Sequence, residues 1–349
     1  MGAPLAHTTK VAVERSWKLF HEIPALKRPE VKILNGKARS VDFENKMLTF
    51  TSNPALENEQ GNEVKVHYDY LVAATGLRRQ WPIAPQAKDK DSYMKDAIRQ
   101  IEKLERVEGN IVVVGGGAVG IEVAGEIKHS YPTKNVILVH SREDLLSSEP
   151  LPSQFKQVTK DILHQTGVTV VTGSRIIKEE IDGAQTKLFT SAGDVLIAEV
   201  TIFCTAKSKP RSEYLSRMAL DEDGYVKVAP SLNFAADIPH PCCHFAVGDI
   251  VAWPGIRRVG RALLMGQCAA VNIIKTMVAK EGSDSSKIQP LNLVEFPKFA
   301  PRMALAIGDE SVAMSPHGEI KWGKEVRKRV FGDDLGLTRC WNDLTISKL

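Results

Sequence analysis

The residues best placed to do chemistry lie in one short run, VVVGGGAVGIE, where Gly115, Gly117 and Gly120 form a G-x-G-x-x-G pattern. That spacing suits a dinucleotide. The first glycine permits a tight turn out of a strand, and the second lets backbone approach a pyrophosphate. The third lets helix and strand pack closely. Gly117, Ala118 and Val119 open the helix, whose first N–H groups have no carbonyl partner within it and can hold phosphate oxygens. Glu122 follows just inside, where a helix N-terminus favours negative charge.

A binding unit of this kind needs a strand before the glycines, a helix after them and a second parallel strand. Asn110–Val114 is a short apolar run bounded by glycine, a helix follows from Val119 to about Lys128, and NVILVH supplies the second strand. That strand should end on an acid if the ligand is NAD. It ends instead on His140, Ser141 and Arg142. Serine and arginine can bond a 2′-phosphate that a carboxylate would repel, which favours NADPH. Glu143 and Asp144 come next and keep NADH open.

The wider chain alternates in the same way. A helix spans Ser92–Val107, another 153–165, and VTVVTG is a further strand, so this part reads as a β/α series. Upstream, Val11–Phe20 is helical, and VKILNG, ARSVDF and KMLTFT form a small meander, with VKVHYDYLVAATG (64–76) as one later strand. The proline-punctuated WPIAPQ (81–86) marks a domain boundary and EGSDSSK (281–287) a linker. Strands are expected around 303–307 and 311–314.

A net charge of +4 over 349 residues gives no reason to expect nucleic acid. The five cysteines include no C-x-x-C, so a disulfide-reductase dithiol of that kind is not expected, and a reducing compartment is. His240, Cys242, Cys243 and His244 cluster in sequence. Adjacent cysteines on a strand point to opposite faces, however, which suits tetrahedral zinc poorly, and no metal site is expected. No apolar run reaches the roughly 18–20 residues of a membrane span. The first residues lack a signal-peptide core, and Ala6 stands where a myristoylation motif has Ser or Thr. The expectation is a cytoplasmic protein with at most peripheral membrane contact, the basic run at 323–332 being a solvated helix face.

GGGAVGIEVAGEIKHSYPTKNVILVHS resembles the nicotinamide domain of the apoptosis-inducing-factor-like oxidoreductases, the branch containing the ferroptosis-suppressor quinone reductases. YLVAATG (70–76) and HFAVGDIVAWPG (244–255) fit the same family in the right order, and the likeness covers roughly residues 30–315. The resemblance implies an α/β fold with two Rossmann-like dinucleotide-binding domains, one for FAD and one for NAD(P)H, plus a small C-terminal α+β segment. The corresponding boundaries are 1–85 with 222–285 for the flavin domain, 92–210 for the nicotinamide domain and 286–349 for the last segment.

It further implies that Ala74, Thr75 and Gly76 pass close to FAD and that Asp249, after Gly248, meets the ribityl chain. Glu122 would lie near the flavin–nicotinamide contact. Gln267 and Asn272 fall on the helix beginning beside the isoalloxazine, and Lys298 and Phe299 near a quinone-facing lysine and aromatic. The implied activity is an FAD-dependent NAD(P)H oxidoreductase passing electrons to a small acceptor such as a quinone.

Two departures stand against the pattern. Gly2 alone precedes Gly36, so the glycine turn that would hold FAD's pyrophosphate is missing, and Ala206 replaces a family glycine. These motivate the alternative: a flavin-free nucleotide-binding pseudoenzyme, or a non-redox enzyme of a small-molecule biosynthetic pathway on the same scaffold.

Overall fold

The computed structural model describes residues 8–53, 61–205, 209–235, 238–281 and 292–344. Ala206 and nearly all of the expected linker at 281–287 lie outside them. The chain divides into two compact units, one formed by Met1–Val31, Arg79–Lys207 and Ala300–Leu349, the other by Lys32–Arg78 and Ser208–Phe299. The first boundary lies between Val31 and Lys32, so the residues before it, expected with the flavin domain, fall in the first unit; the second lies between Arg78 and Arg79, just before the WPIAPQ segment. The C-terminal residues, expected to stand apart, belong to the first unit.

In the first unit, α1 (Lys10–Ser16) is capped by Thr9, whose hydroxyl accepts the Ala12 N–H at 3.3 Å. It packs through Val13 onto α2 (Lys90–Arg106), which starts at the Asp89 cap and buries Tyr93, Ala97, Ile101 and Leu104 on one helical stripe. Next come β1 (Asn110–Val114), α3 (Ala118–Ser130), β2 (Asn135–Val139), α4 (Ser153–Thr166) and β3 (Thr169–Val171). Gly167, at φ 91°, ends α4 in the left-handed conformation that a glycine adopts without strain. An antiparallel trio, β4 (Ile176–Asp182), β5 (Gln185–Thr190) and β6 (Val195–Ala198), leads into β7 (Val200–Phe203). The parallel sheet runs β7-β1-β2-β3. Ile111, Val112 and Val113 are buried completely, as a central parallel strand covered on both faces requires.

The C-terminal strands β8 (Ala304–Ile307), β9 (Glu310–Met314) and β10 (Ile320–Trp322) form an antiparallel sheet, followed by α5 (Lys324–Phe331). That sheet lies on α3, where the glycine at position 125 admits it: a Cβ there would sit 2.9 Å from Ile307 Cγ2 and 3.0 Å from Ile307 Cα. The basic run is thus α5. Its Val326 and Phe331 are buried, while Lys324 pairs with Asp309 at 2.6 Å.

In the second unit, Gly36–Asp42, Met47–Ser52 and Glu63–His67 form an antiparallel sheet. VKILNG is not a strand; the first one begins at Gly36. The expected strand 64–76 is two. Glu63–His67 pairs in the meander, whereas Leu71–Ala73 leaves it and runs parallel to His244–Ala246. A hydrophobic run cannot reveal such a change of partner, because both halves satisfy the same alternation. The unit's core gathers Phe43, Phe234, Phe245, Ile250 and Met265.

The helix Val259–Glu281 closes the second unit. Its inner face buries Met265, Ala269 and Asn272, and Asn272 Nδ2 donates to the Ser231 and Val294 carbonyls at 2.8 and 2.9 Å. Its outer face exposes Leu263, Leu264, Val271, Ile274, Met277 and Val278. The stretch Val259–Lys280, with a mean hydropathy of 1.5, is therefore long and apolar enough for a span by length and composition, contrary to the reading from sequence. Contiguous apolar residues were sought there; the helix achieves its hydropathy with polar residues interspersed.

Candidate functional site

Each glycine of the loop does what its position demands. Gly115 has φ 119°, and its amide donates to the Val139 carbonyl at 2.7 Å, which closes the turn across the two strands. Gly117 is the N-cap of α3, and a Cβ built on it meets nothing within 4 Å. That open space lies where a diphosphate would approach the backbone. At Gly120 the opposite holds, because a Cβ would run into the Gly115 carbonyl oxygen. Ala118 and Val119, half-buried, complete the first turn of α3. The residues present therefore fit a dinucleotide's pyrophosphate.

His140 does work that sequence reasoning overlooked. Its Nδ1 accepts the Gly116 N–H at 3.1 Å, its Nε2 lies 3.1 Å from Ser147 Oγ, and burial holds its pKa below the ordinary value. The ring thus lies neutral beneath the glycine loop and fastens it. A histidine at a strand end facing a three-glycine loop was the available signal. Ser141 and Arg142, the next residues, are exposed at the C-terminal end of β2. A Cβ on Gly173 would collide with the Glu143 carboxylate, so Glu143 lies against the turn at Gly173. Cys204 borders the Gly115 turn as a neutral thiol, its pKa pushed up to about 12 by burial.

Glu122 faces the C-terminal sheet. The Ala306 N–H reaches its Oε1 at 3.5 Å, and burial, with the like charge of Glu126 one turn on, raises its pKa to about 7. Desolvation here outweighs the helix dipole, whose effect fades beyond the first turn. Glu126 is also buried and shifted upward by desolvation, against the opposing influence of His129 and Arg327.

In the second unit the parallel pairing of Leu71–Ala73 with His244–Ala246 brings two turns to the same end of the strands. Ala74, Thr75 and Gly76 form one, and Gly248 and Asp249 the other. Both glycines are left-handed, at φ 64° and 77°. The carboxyl ends of parallel strands are where open α/β sheets bind ligands. Thr75 Oγ1 donates to the Arg211 carbonyl at 2.7 Å, and Ala74 and Thr75 are exposed. Gln267 lies two turns into the helix on its exposed face, and Asn272 is tied into the core by the bonds described above. Phe299 is exposed and packs edge-on against Phe296 at 5.5 Å; Lys298 is exposed. These turns suit the hydroxyl-bearing part of a flavin, but among the described residues the second unit offers no glycine loop for its diphosphate.

The model of the pyridine nucleotide-disulphide oxidoreductase family matches residues 5–266. The chain belongs to that family. Like its relatives it is an oxidoreductase, built on the α/β scaffold of paired dinucleotide-binding domains. The oxidoreductase OXR1 of Ajellomyces capsulatus is 39% identical over 100% of this chain and 74% of its own length. Ferroptosis suppressor protein 1 of Taeniopygia guttata is 30% identical over 62% of this chain and 58% of that protein. Among solved structures, an NAD-dependent persulfide reductase from A. fulgidus superposes with a TM-score of 0.61 at 20% identity. That match covers 82% of this chain and 50% of the reductase, and is a likeness of fold.

Proposed function

We propose that this pyridine nucleotide-disulphide oxidoreductase binds NAD(P)H at the β1–α3 loop and serves electron transfer to a small acceptor, a quinone being the class suggested by its ferroptosis-suppressor relatives. The observation that carries the reading is the open space at Gly117 beside the sterically closed Gly120. Gly115, Gly117, Ala118, Val119 and Gly120 hold the diphosphate, with Ser141 and Arg142 at the adenosine end. Bound NAD(P)H supplies a hydride, and FAD, when bound, is the two-electron relay typical of such enzymes. Thr75, Gly76, Gly248, Asp249 and Gln267 are the residues this chain offers toward FAD, and Glu122, with its pKa near neutral, can hold or release a proton at its carboxylate.

A second reading is a flavin-free nucleotide-binding protein, or a non-redox enzyme, on the same scaffold; it is raised by the described residues of the second unit, which include no glycine loop for a diphosphate. In either case Gly117→Val should leave the fold intact and weaken NADPH binding by about 1–3 kcal/mol, the scale of a steric defect. Titration calorimetry with NADPH and NADH on both proteins measures it. Equal binding by the variant would show that the nucleotide does not lie on this loop.

A further inference from the structure

Cys242 and Cys243 have no part in that reading, and their geometry differs from the strand expected of them. They lie on a single 3-10 turn, Pro241–Cys243, entered through His240 in the left-handed region at φ 50°. The Cys243 N–H donates to the His240 carbonyl at 2.8 Å, and the turn brings the two sulfur atoms to 4.0 Å. Cys243 is buried, whereas Cys242 is partly open to solvent. Lys280, near the end of the long helix, donates from Nζ to Cys243 Sγ at 3.4 Å and lies 5.0 Å from the centre of the Tyr70 ring. An ammonium beside a sulfur stabilises negative charge that develops there during attack.

The neighbouring imidazole is committed elsewhere. His244 Nδ1 faces the His240 carbonyl at 2.9 Å and Nε2 faces the Tyr68 hydroxyl at 3.0 Å, and burial pushes its pKa down to about 4. Among the described residues no group of three His, Cys, Asp or Glu side chains converges as a metal site would. What remains is a dithiol with one sulfur accessible and the other beside a cation.

We propose that Cys242 and Cys243 are an oxidant-responsive pair that a small hydroperoxide converts to a disulfide between neighbours. Cys242, the accessible sulfur, attacks the terminal peroxide oxygen: an S–O bond forms, the O–O bond breaks, and the alcohol leaves carrying the proton of the Cys242 thiol. Burial and the adjacent sulfur hold that thiol above its ordinary pKa. Cys243 then attacks the Cys242 sulfenic acid and gives up its thiol proton as it does so; the S–S bond forms, the S–O bond breaks, and water leaves carrying that proton. The sulfur pair loses two electrons and the peroxide gains them. Lys280 supports the second step by stabilising the negative charge that develops on the Cys243 sulfur as it attacks.

The test treats the purified full chain with tert-butyl hydroperoxide, unfolds it in excess N-ethylmaleimide and maps the peptides by mass spectrometry. The peptide carrying Cys242 and Cys243 should lose two hydrogens, escape alkylation and regain both sites after phosphine reduction. Lys280→Gln should slow disulfide formation by at least about fivefold and Lys280→Arg should restore it. In the guanidinium-unfolded chain this advantage should vanish. If Cys242 proceeds to sulfinic acid while Cys243 stays alkylatable, or if native and unfolded chains form the disulfide equally fast, the proposal is overturned. An unchanged rate in Lys280→Gln would overturn the role of Lys280.

Discussion

The glycine at 117, the arginine at 142 and the glutamate at 122 show three ways in which a single residue governs this site. Gly117 leaves room, whereas Arg142 offers charge from an exposed position beside Ser141. Arg142→Asp should move the NADPH-to-NADH preference toward NADH by about tenfold or more, since a carboxylate there repels a 2′-phosphate. The ratio of calorimetric dissociation constants reads this directly, and an unmoved ratio would place the phosphate elsewhere. Glu122 makes a pH prediction. Its folded pKa of about 7 exceeds the ordinary glutamate value of about 4.5, so the folded chain binds more protons than the unfolded chain between those values. Stability therefore falls as pH rises through that window, by on the order of 2–3 kcal/mol for this group alone. Glu122→Gln should flatten that part of the profile, so that the variant gains on wild type between pH 5 and pH 8 in denaturant titrations. Parallel profiles would mean that Glu122 ionises freely.

At the scale of elements, the least expected feature is the seating of β8 on α3. The glycine that permits it, Gly125, lies outside the G-x-G-x-x-G pattern. It lies two turns beyond the nucleotide loop, and its missing side chain lets Ile307 reach the helix backbone. Arg327 fastens the other side of the same sheet, donating to the Gly308 and Gly332 carbonyls at 2.9 and 3.0 Å. Gly125→Val should cost about 2–3 kcal/mol of stability, as overpacking of a tight contact does, yet leave NADPH affinity within about twofold. Denaturant titration and calorimetry on the same preparation separate the two effects. Full stability would show that the sheet is held by its other contacts.

For the molecule as a whole, the question is flavin. Among its described residues the second unit keeps two strand-end turns and a two-stranded parallel pair, where parallel sheets ordinarily have more strands and cover on both faces. The long helix of the same unit exposes seven large apolar side chains, Val259 as well as the six on its outer face. With no second glycine loop among the described residues, roughly two or three charge-assisted hydrogen bonds to a flavin diphosphate are absent from them, each worth about 1.5–3 kcal/mol. The 349-residue chain should accordingly purify with substoichiometric FAD, and the absorption bands near 375 and 450 nm (approximate positions for any bound flavin) should be weak. A stoichiometric yellow protein would show that FAD is held here by groups other than a glycine loop.

The nucleotide unit was legible in the sequence because its determinants are local. Gly115, Gly117 and Gly120 act through backbone conformation within one turn, and the apolar runs on either side bury themselves as strands wherever the chain goes. The turns at Gly76 and Gly248 were legible for the same reason. Three things were not. The division of 64–76 between two sheets depends on which strand each half meets, and hydrophobic alternation is blind to the partner. The fastening of the loop by His140 and the raised pKa of Glu122 depend on burial by residues distant in sequence, Ala306 among them. The approach of Cys242 to Cys243 depends on a turn entered through a left-handed histidine, where a strand would have pointed the sulfurs apart. Local backbone preference could be read from residue types; desolvation and contact between distant segments exist only once the chain has folded.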